Sequence, residues 1–198
     1  MRSFAASATL FLVFIAAGNA IECEVCIDRV SLDCSGELVT CNETVKSCQT
    51  AITEYTFEGL DPIHSVFKNC SGLETKTNMY RSAVTKGLYQ QGIEICQTNG
   101  CNKAPIHFTP INRTLNGVKC PSCNVNGALS CEVNGVVECV GELTNCIYMA
   151  AKLRLPGAPA NESIAYRGFT SAENEEQYLL GLSYRLQNIV TLEISKGI

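Results

Sequence analysis

The chain has 198 residues, of which 13 are cysteine and none is tryptophan, and its formal net charge at pH 7 is −4. This acidic balance argues against a nucleic-acid-binding protein, because binding to a phosphate backbone depends on clustered Lys and Arg. Thirteen cysteines in so short a chain indicate a disulfide-stabilised protein from an oxidising compartment.

Residues 1–20 predict a secretory signal peptide. Arg2 precedes an apolar run from Leu10 to Ala17, and small residues follow up to Ala20. That order is typical of a signal peptide cleaved after Ala20. The apolar run is shorter than the roughly 20 residues that a membrane-spanning helix needs. We therefore expect a secreted, extracellular chain that begins at Ile21.

The first half, residues 21–102, contains a ladder of cysteines. Its first five follow the spacing C-x2-C-x7-C-x6-C-x6-C, and the half closes with C-x4-C followed at once by Asn102. Residues 48–57 and 93–96 are rich in β-branched and aromatic residues, which predicts strands. The eight cysteines are Cys23, Cys26, Cys34, Cys41, Cys48, Cys70, Cys96 and Cys101.

Residues 103–118 predict an exposed linker, because they contain two prolines, an Asn-Gly pair and a glycosylation sequon. The second half, residues 119–198, then repeats the ladder as C-x2-C-x7-C-x7-C-x6-C. Five matching cysteines with a single one-residue difference indicate an internal duplication and two like domains. These cysteines are Cys120, Cys123, Cys131, Cys139 and Cys146.

The second half departs from the repeat near its end. Phe169 stands where the repeat predicts a cysteine, and Ile194 stands where a closing cysteine is expected. The segment 175–195 fits either a helix or a hairpin, and its β-rich second part favours the hairpin. The charged residues Arg185, Glu193 and Lys196 interrupt it, so the sequence predicts no C-terminal membrane or lipid anchor.

Each C-x-x-C pair has two interpretations. The pairs could in principle hold zinc, with His64 and His107 as additional ligands. A signal peptide and a duplicated ladder favour disulfides instead, and we predict no metal and no cofactor. The histidines lie in no catalytic motif, and the acidic residues at 173–176 lack the pattern of a calcium loop, so we expect no enzyme.

Four sequons occur in the chain. Those at Asn42, Asn112 and Asn161 lie in polar, turn-like segments and predict N-glycosylation. The fourth begins at Asn69, and the expected bridge at Cys70 inside the sequon disfavours glycosylation there.

The ladder and its C-x4-C-N closure resemble the three-finger superfamily of lymphocyte antigen-6 and urokinase-receptor proteins. This resemblance implies an all-β, disulfide-rich fold of two tandem three-finger domains. It leaves Cys139 unpaired, either as a buried thiol packed against Phe169 or as an interchain bridge. With only two bridges, the second domain is expected to be the less stable one. The implied disulfides are Cys23–Cys48, Cys26–Cys34, Cys41–Cys70, Cys96–Cys101, Cys120–Cys146 and Cys123–Cys131.

Within that superfamily, the segments "IECEVC", "FKNC" and "GELTNC" resemble the gamma-type phospholipase A2 inhibitors of blood plasma. The resemblance implies a non-catalytic partner of secreted phospholipase A2, often oligomeric, with contacts on the finger strands and on residues 103–118. Two alternatives stay open. Amphibian sodefrin precursor-like factors also lose cysteines in their second domain, which would imply a secreted signal, and a soluble receptor-modulating three-finger protein is the third interpretation.

Overall fold

The computed structural model describes residues 20–73, 78–153, 160, 162–182 and 186–198. The expected signal peptide, apart from its last residue, and Asn161 lie outside these residues. The regular secondary structure of the described part is almost entirely β, which confirms the all-β prediction. Its elements are β1 (Glu22–Asp28), β2 (Glu37–Thr40), β3 (Ser47–Phe57), β4 (Ile63–Ser71), β5 (Asn78–Val84), β6 (Gly87–Cys96), a 3-10 helix (Cys101–Lys103), β7 (Leu115–Asn126), β8 (Gly135–Val140), β9 (Asn145–Leu153), β10 (Glu162–Thr170), α1 (Glu175–Leu182) and β11 (Leu186–Lys196).

Residues 22–103 form the first unit, in which three antiparallel hairpins make the three fingers. These hairpins are β1–β2, β3–β4 and β5–β6. Strand β3 lies at the centre, because it pairs with β4 on one side and with β6 on the other. Ala51 and Ile52 are both buried, so β3 has packing on both of its faces.

Residues 115–198 form the second unit, which repeats this plan with one change. The hairpins β7–β8 and β9–β10 supply two fingers, and β11 pairs with β9 just as β6 pairs with β3. The third finger is α1 followed by β11. The hairpin predicted for 175–195 is therefore wrong in its first half. The side-chain oxygen of Asn174 accepts a hydrogen bond from the Gln177 N–H (2.9 Å), which caps the helix.

The strand registers show which residues correspond between the units. Cys48 on β3 lies opposite Cys70 and Cys96, and Cys146 on β9 lies opposite Phe169 and Ser195. Phe169 thus holds the position of Cys70, as the repeat predicts. The position of Cys96 belongs to Ser195 and not to Ile194, because β11 contains two register shifts that residue counting cannot detect.

The two units share one continuous sheet. β10 pairs with β5 through Phe169 opposite Ala83 and Thr170 opposite Ser82. The strands approach so closely that a Cβ at Gly168 would lie 1.9 Å from the Ala83 carbonyl oxygen. Strand β7 begins at Leu115, so the last four residues of the expected linker 103–118 are strand residues. No helix in the described residues has the length and apolar character needed to cross a bilayer.

Candidate functional site

Twelve cysteines form six disulfides, and the structure brings together the same pairs that the resemblance implied. The two members of each C-x-x-C pair have different partners. The sulfur atoms of Cys23, Cys41 and Cys70 lie within 4.8 Å of one another, but all three are in disulfides and offer no thiolate to a metal. The bonds are Cys23–Cys48, Cys26–Cys34, Cys41–Cys70, Cys96–Cys101, Cys120–Cys146 and Cys123–Cys131.

Asn102 fastens the end of the first unit to its first and second fingers. Its side-chain amide donates to the carbonyls of Glu24 (2.9 Å) and Gln49 (3.3 Å), and its side-chain oxygen accepts from the Glu24 N–H (2.9 Å). The residue is 3% exposed. These bonds satisfy buried backbone groups that would otherwise lack partners.

The buried Lys68 also joins separate segments of the first unit through ion pairs and hydrogen bonds. The Lys68 Nζ lies 2.9 Å from carboxylate oxygens of both Glu24 and Asp33, and it donates to the carbonyls of Cys34 and Lys103. Burial opposes the charge on Lys68, but the two carboxylates outweigh burial and raise its pKa. Burial likewise opposes ionisation of Glu24, but Lys68 holds the pKa of that carboxyl below its usual range.

Cys139 is the free cysteine of the described residues, and it is fully buried. It packs in a cluster with Phe169 and Leu143, and its Sγ lies 3.7 Å from the Sγ of Cys120. Burial raises the pKa of this thiol, so little thiolate forms at neutral pH. The buried position supports the unpaired alternative over an interchain bridge.

The other residues singled out in the sequence occupy structural positions. His64 pairs with Glu54 across β3 and β4 at 2.9 Å, and His107 is exposed in the connection between the units. The acidic residues Glu175 and Glu176 form the first turn of α1, where they complement the helix dipole.

The sequons differ in their surroundings. Asn42 and Asn112 are exposed, and each side-chain oxygen accepts a hydrogen bond from the backbone N–H two residues later. Asn69 is partly buried within β4 and binds the Cys70 N–H. The first two sequons are therefore open to a glycosylating enzyme, and Asn69 is less so.

Hydrogen bonds and aromatic contacts fix the junction between the units. The Thr170 hydroxyl donates to the Arg81 carbonyl (2.9 Å), and the Ser171 N–H donates to the same carbonyl. The ring of Tyr80 packs on that of Tyr178 from α1, with centroids 5.0 Å apart. Burial raises the pKa of both phenols, which therefore stay neutral.

Beside this junction lies a cleft of about 290 Å³, which we name the interunit cleft. Strands β3–β6 of the first unit and β7 and β10 of the second line it. It is a feature that the sequence analysis missed, because its residues come from six strands that are far apart in the chain. Its lining residues are Tyr55, Phe57, Ile63, Ser82, Val84, Gly87, Leu88, Tyr89, Asn124, Asn126, Glu162, Ile164 and Tyr166.

Comparison with known proteins identifies the family. A model of the u-PAR/Ly-6 domain matches residues 19–104 and again residues 116–166. The chain belongs to the u-PAR/Ly-6 domain family. The two matches agree with the two structural units, and they confirm the resemblance drawn from the cysteine ladder. In this family member, the second match ends within β10, before α1 and β11.

Two individual proteins are similar to this u-PAR/Ly-6 protein. A phospholipase A2 inhibitor gamma subunit from Gloydius brevicaudus siniticus is 28% identical over 169 residues, which cover 82% of this chain and 80% of that protein. A crystal structure of mouse TEX101 has 14% sequence identity and a TM-score of 0.41, and the match covers 88% of this chain and 95% of that chain.

Proposed function

We propose that this protein is a secreted, non-catalytic inhibitor that binds a secreted phospholipase A2 through protein–protein contact. The observation that carries the proposal is the similarity to the gamma subunit of a phospholipase A2 inhibitor, which extends over both units. Family membership supports a binding role, because three-finger units present loops and strands on a disulfide-bonded scaffold. The domains we propose are 21–102 and 119–198, after removal of residues 1–20.

Several surfaces are suited to partner contact. Val30 (81% exposed) and Leu60 (66%) lie at the ends of fingers of the first unit, and Val136 (64%) lies on β8 of the second. Apolar side chains at such positions are typical anchors of protein interfaces. N-glycosylation at Asn42, Asn112 and Asn161 belongs to the same extracellular proposal.

The test is inhibition and direct binding with a panel of secreted phospholipases A2. The sample is the mature chain from Ile21, with its six disulfides verified by mass spectrometry. Each enzyme is assayed on phospholipid vesicles and on a soluble monomeric substrate, so that removal of lipid by the protein is distinguished from binding to the enzyme. We expect saturable inhibition and stoichiometric binding to at least one enzyme. Reduced and alkylated protein is the matched negative control.

Failure to bind any enzyme of the panel would contradict the inhibitor proposal. A secreted signalling role is the second candidate, and the loss of two bridges from the second unit favours it. That loss is visible at Phe169 and Ser195, which lie opposite Cys146. Size-exclusion chromatography with light scattering on the same sample tests the expected homo-oligomer.

A further inference from the structure

The interunit cleft is preformed in the protein without a partner. The β5–β10 pairing fixes one wall against the other, and the Thr85 and Ser122 hydroxyls meet at 2.6 Å next to it. A preformed concave site requires little ordering on binding, so more of the contact energy is retained as affinity.

Aromatic rings make up much of the wall. Tyr55, Phe57, Tyr89 and Tyr166 all line the cleft, and the rings of Tyr55 and Tyr89 lie 4.6 Å apart between centroids. The hydroxyls of Tyr89 and Tyr166 contact Gln91 and Tyr178, neither of which lines the cleft. The ring surfaces are therefore what the cleft offers, and such surfaces attract cations through their quadrupoles.

The described residues that line the cleft carry one charge, and it is negative. Glu162 is the charged member of the set of described lining residues, and it forms no ion pair with another described residue. Asn126 lies nearer the Glu162 end of the cleft, because it pairs with Ile164 on β10, whereas Asn124 pairs with Tyr166. A carboxylate at this end favours a cation and repels a carboxylate or phosphate ligand.

The size of the cleft and its aliphatic residues indicate which kind of cationic group fits it. About 290 Å³ is at the lower limit of small-molecule sites, which span roughly 300–1,000 Å³. Ile63, Leu88 and Ile164 add aliphatic surface to the lining. Lys and Arg side chains combine an apolar stem with a cationic end, so they match both parts of the lining.

We propose that the interunit cleft is an anchor pocket for one Lys or Arg side chain of the protein partner. The stem packs on Ile63 and Leu88, the cationic end lies over the aromatic rings, and Glu162 accepts its hydrogen bond. The net charge of −4 favours a basic partner over the whole surface. This inference rests on the proposed function only for the identity of that partner, a secreted phospholipase A2.

The first experiment needs no partner. Hexylamine, hexanol and hexanoate, which share one alkyl chain, are titrated into the full mature protein while the methyl NMR signals of Ile63 and Leu88 are followed. We expect saturable shifts with hexylamine and weaker binding of the other two. Glu162→Gln should weaken hexylamine binding about three- to tenfold, because a partly exposed ion pair is worth roughly 1 kcal/mol. Glu132→Gln, the same change at an exposed site of the same unit, should have no effect.

Equal binding of the three compounds, or an unchanged affinity in Glu162→Gln, would overturn the proposed preference for a cation. The second experiment uses whichever phospholipase A2 binds the wild-type protein. Ile63→Arg puts a competing guanidinium at the cleft and should weaken that binding at least about tenfold. Val190→Arg adds the same charge at an exposed position on β11, a strand that does not line the cleft, and it should leave the affinity nearly unchanged.

The two experiments distinguish the two proposals. Binding of a phospholipase with equal affinity to wild type and Ile63→Arg would overturn the anchor pocket and leave the inhibitor function standing. Selective hexylamine binding without binding of any phospholipase would remove the inhibitor function, and it would support a cation-accepting cleft that serves another basic partner.

Discussion

Phe169 occupies the position that Cys70 holds in the first unit, and Cys139 lies in the same cluster with no disulfide partner. Phe169→Cys should therefore form a bridge from Cys139 to the new cysteine. The bridge should contribute about 2–4 kcal/mol to the free energy of unfolding of the second unit, because it restricts the unfolded chain. The loss of the buried Phe169 ring offsets part of this gain. Peptide mapping and thermal denaturation measure the bond and the gain.

The control for this prediction is Phe169→Cys combined with Cys139→Ala. This double variant also loses the Phe169 ring but can form no bridge, so it should be less stable than both the wild type and Phe169→Cys. Two titratable thiols in the Phe169→Cys protein, where none is expected, would show that the two positions do not correspond.

The hydrogen bonds of Asn102 lead to a second prediction about a single side chain. Asn102→Ala removes three hydrogen bonds and leaves buried backbone groups of Glu24 and Gln49 without partners. The loss should be about 3 kcal/mol in free energy of unfolding, measured by denaturant titration. Asn99→Ala removes one exposed bond to the Glu22 N–H and should cost under about 1 kcal/mol. Similar losses from the two variants would contradict the role given to Asn102.

Among the elements, β5 and β10 have the most sensitive pairing, because only two residue pairs join them. Gly168→Ala would place a methyl group against the Ala83 carbonyl oxygen, and the two strands would have to separate. We expect faster hydrogen exchange at the amides of 80–84 and 168–171 and a lower melting temperature. Gly135→Ala is the matched control, because a Cβ there meets no atom within 4 Å. Unchanged exchange in Gly168→Ala would show that the junction tolerates the separation.

The third finger of the second unit shows where sequence reasoning reaches its limit. Alternating and helical apolar patterns fit residues 175–195 about equally well, and the preference for a hairpin comes from the neighbouring strand residues. The signal that could have decided the first half is polar: Asn174 followed three residues later by Gln177 is a helix-capping pattern. The hydrophobic pattern alone does not contain that information.

In the whole molecule, four disulfides lie in the first unit and two in the second. Each bridge typically adds about 2–4 kcal/mol, and two pairs of residues between β5 and β10 are too few to equalise the units. We expect the second unit to unfold at lower denaturant concentration. Hydrogen exchange with mass spectrometry should show loss of protection in β9 and β11 before β3 and β6. A single transition with the same midpoint in both units would contradict this order.

Much of the architecture could be predicted because the cysteine spacing can be read directly from the sequence. The spacing of the cysteines revealed the duplication, and the family resemblance then implied the bridges. The interunit cleft could not be predicted in this way. It depends on how β10 meets β5, and that contact involves a glycine and two ordinary polar residues, Ser82 and Thr170, without a distinctive pattern. Ser195 was missed because bulges in β11 change the count along the strand.

The position of Cys139 beside a disulfide affects how the disulfides form during folding. A thiol 3.7 Å from a disulfide sulfur is placed to exchange with it, and attack on Cys120 would release Cys146. In the folded protein the raised pKa of Cys139 suppresses that attack, whereas in the unfolded chain the thiol ionises normally. Oxidative refolding therefore has a competing isomer available to it, with the bond between Cys120 and Cys139. Cys139→Ala should raise the yield of correctly bridged protein and lengthen its shelf life under alkaline conditions.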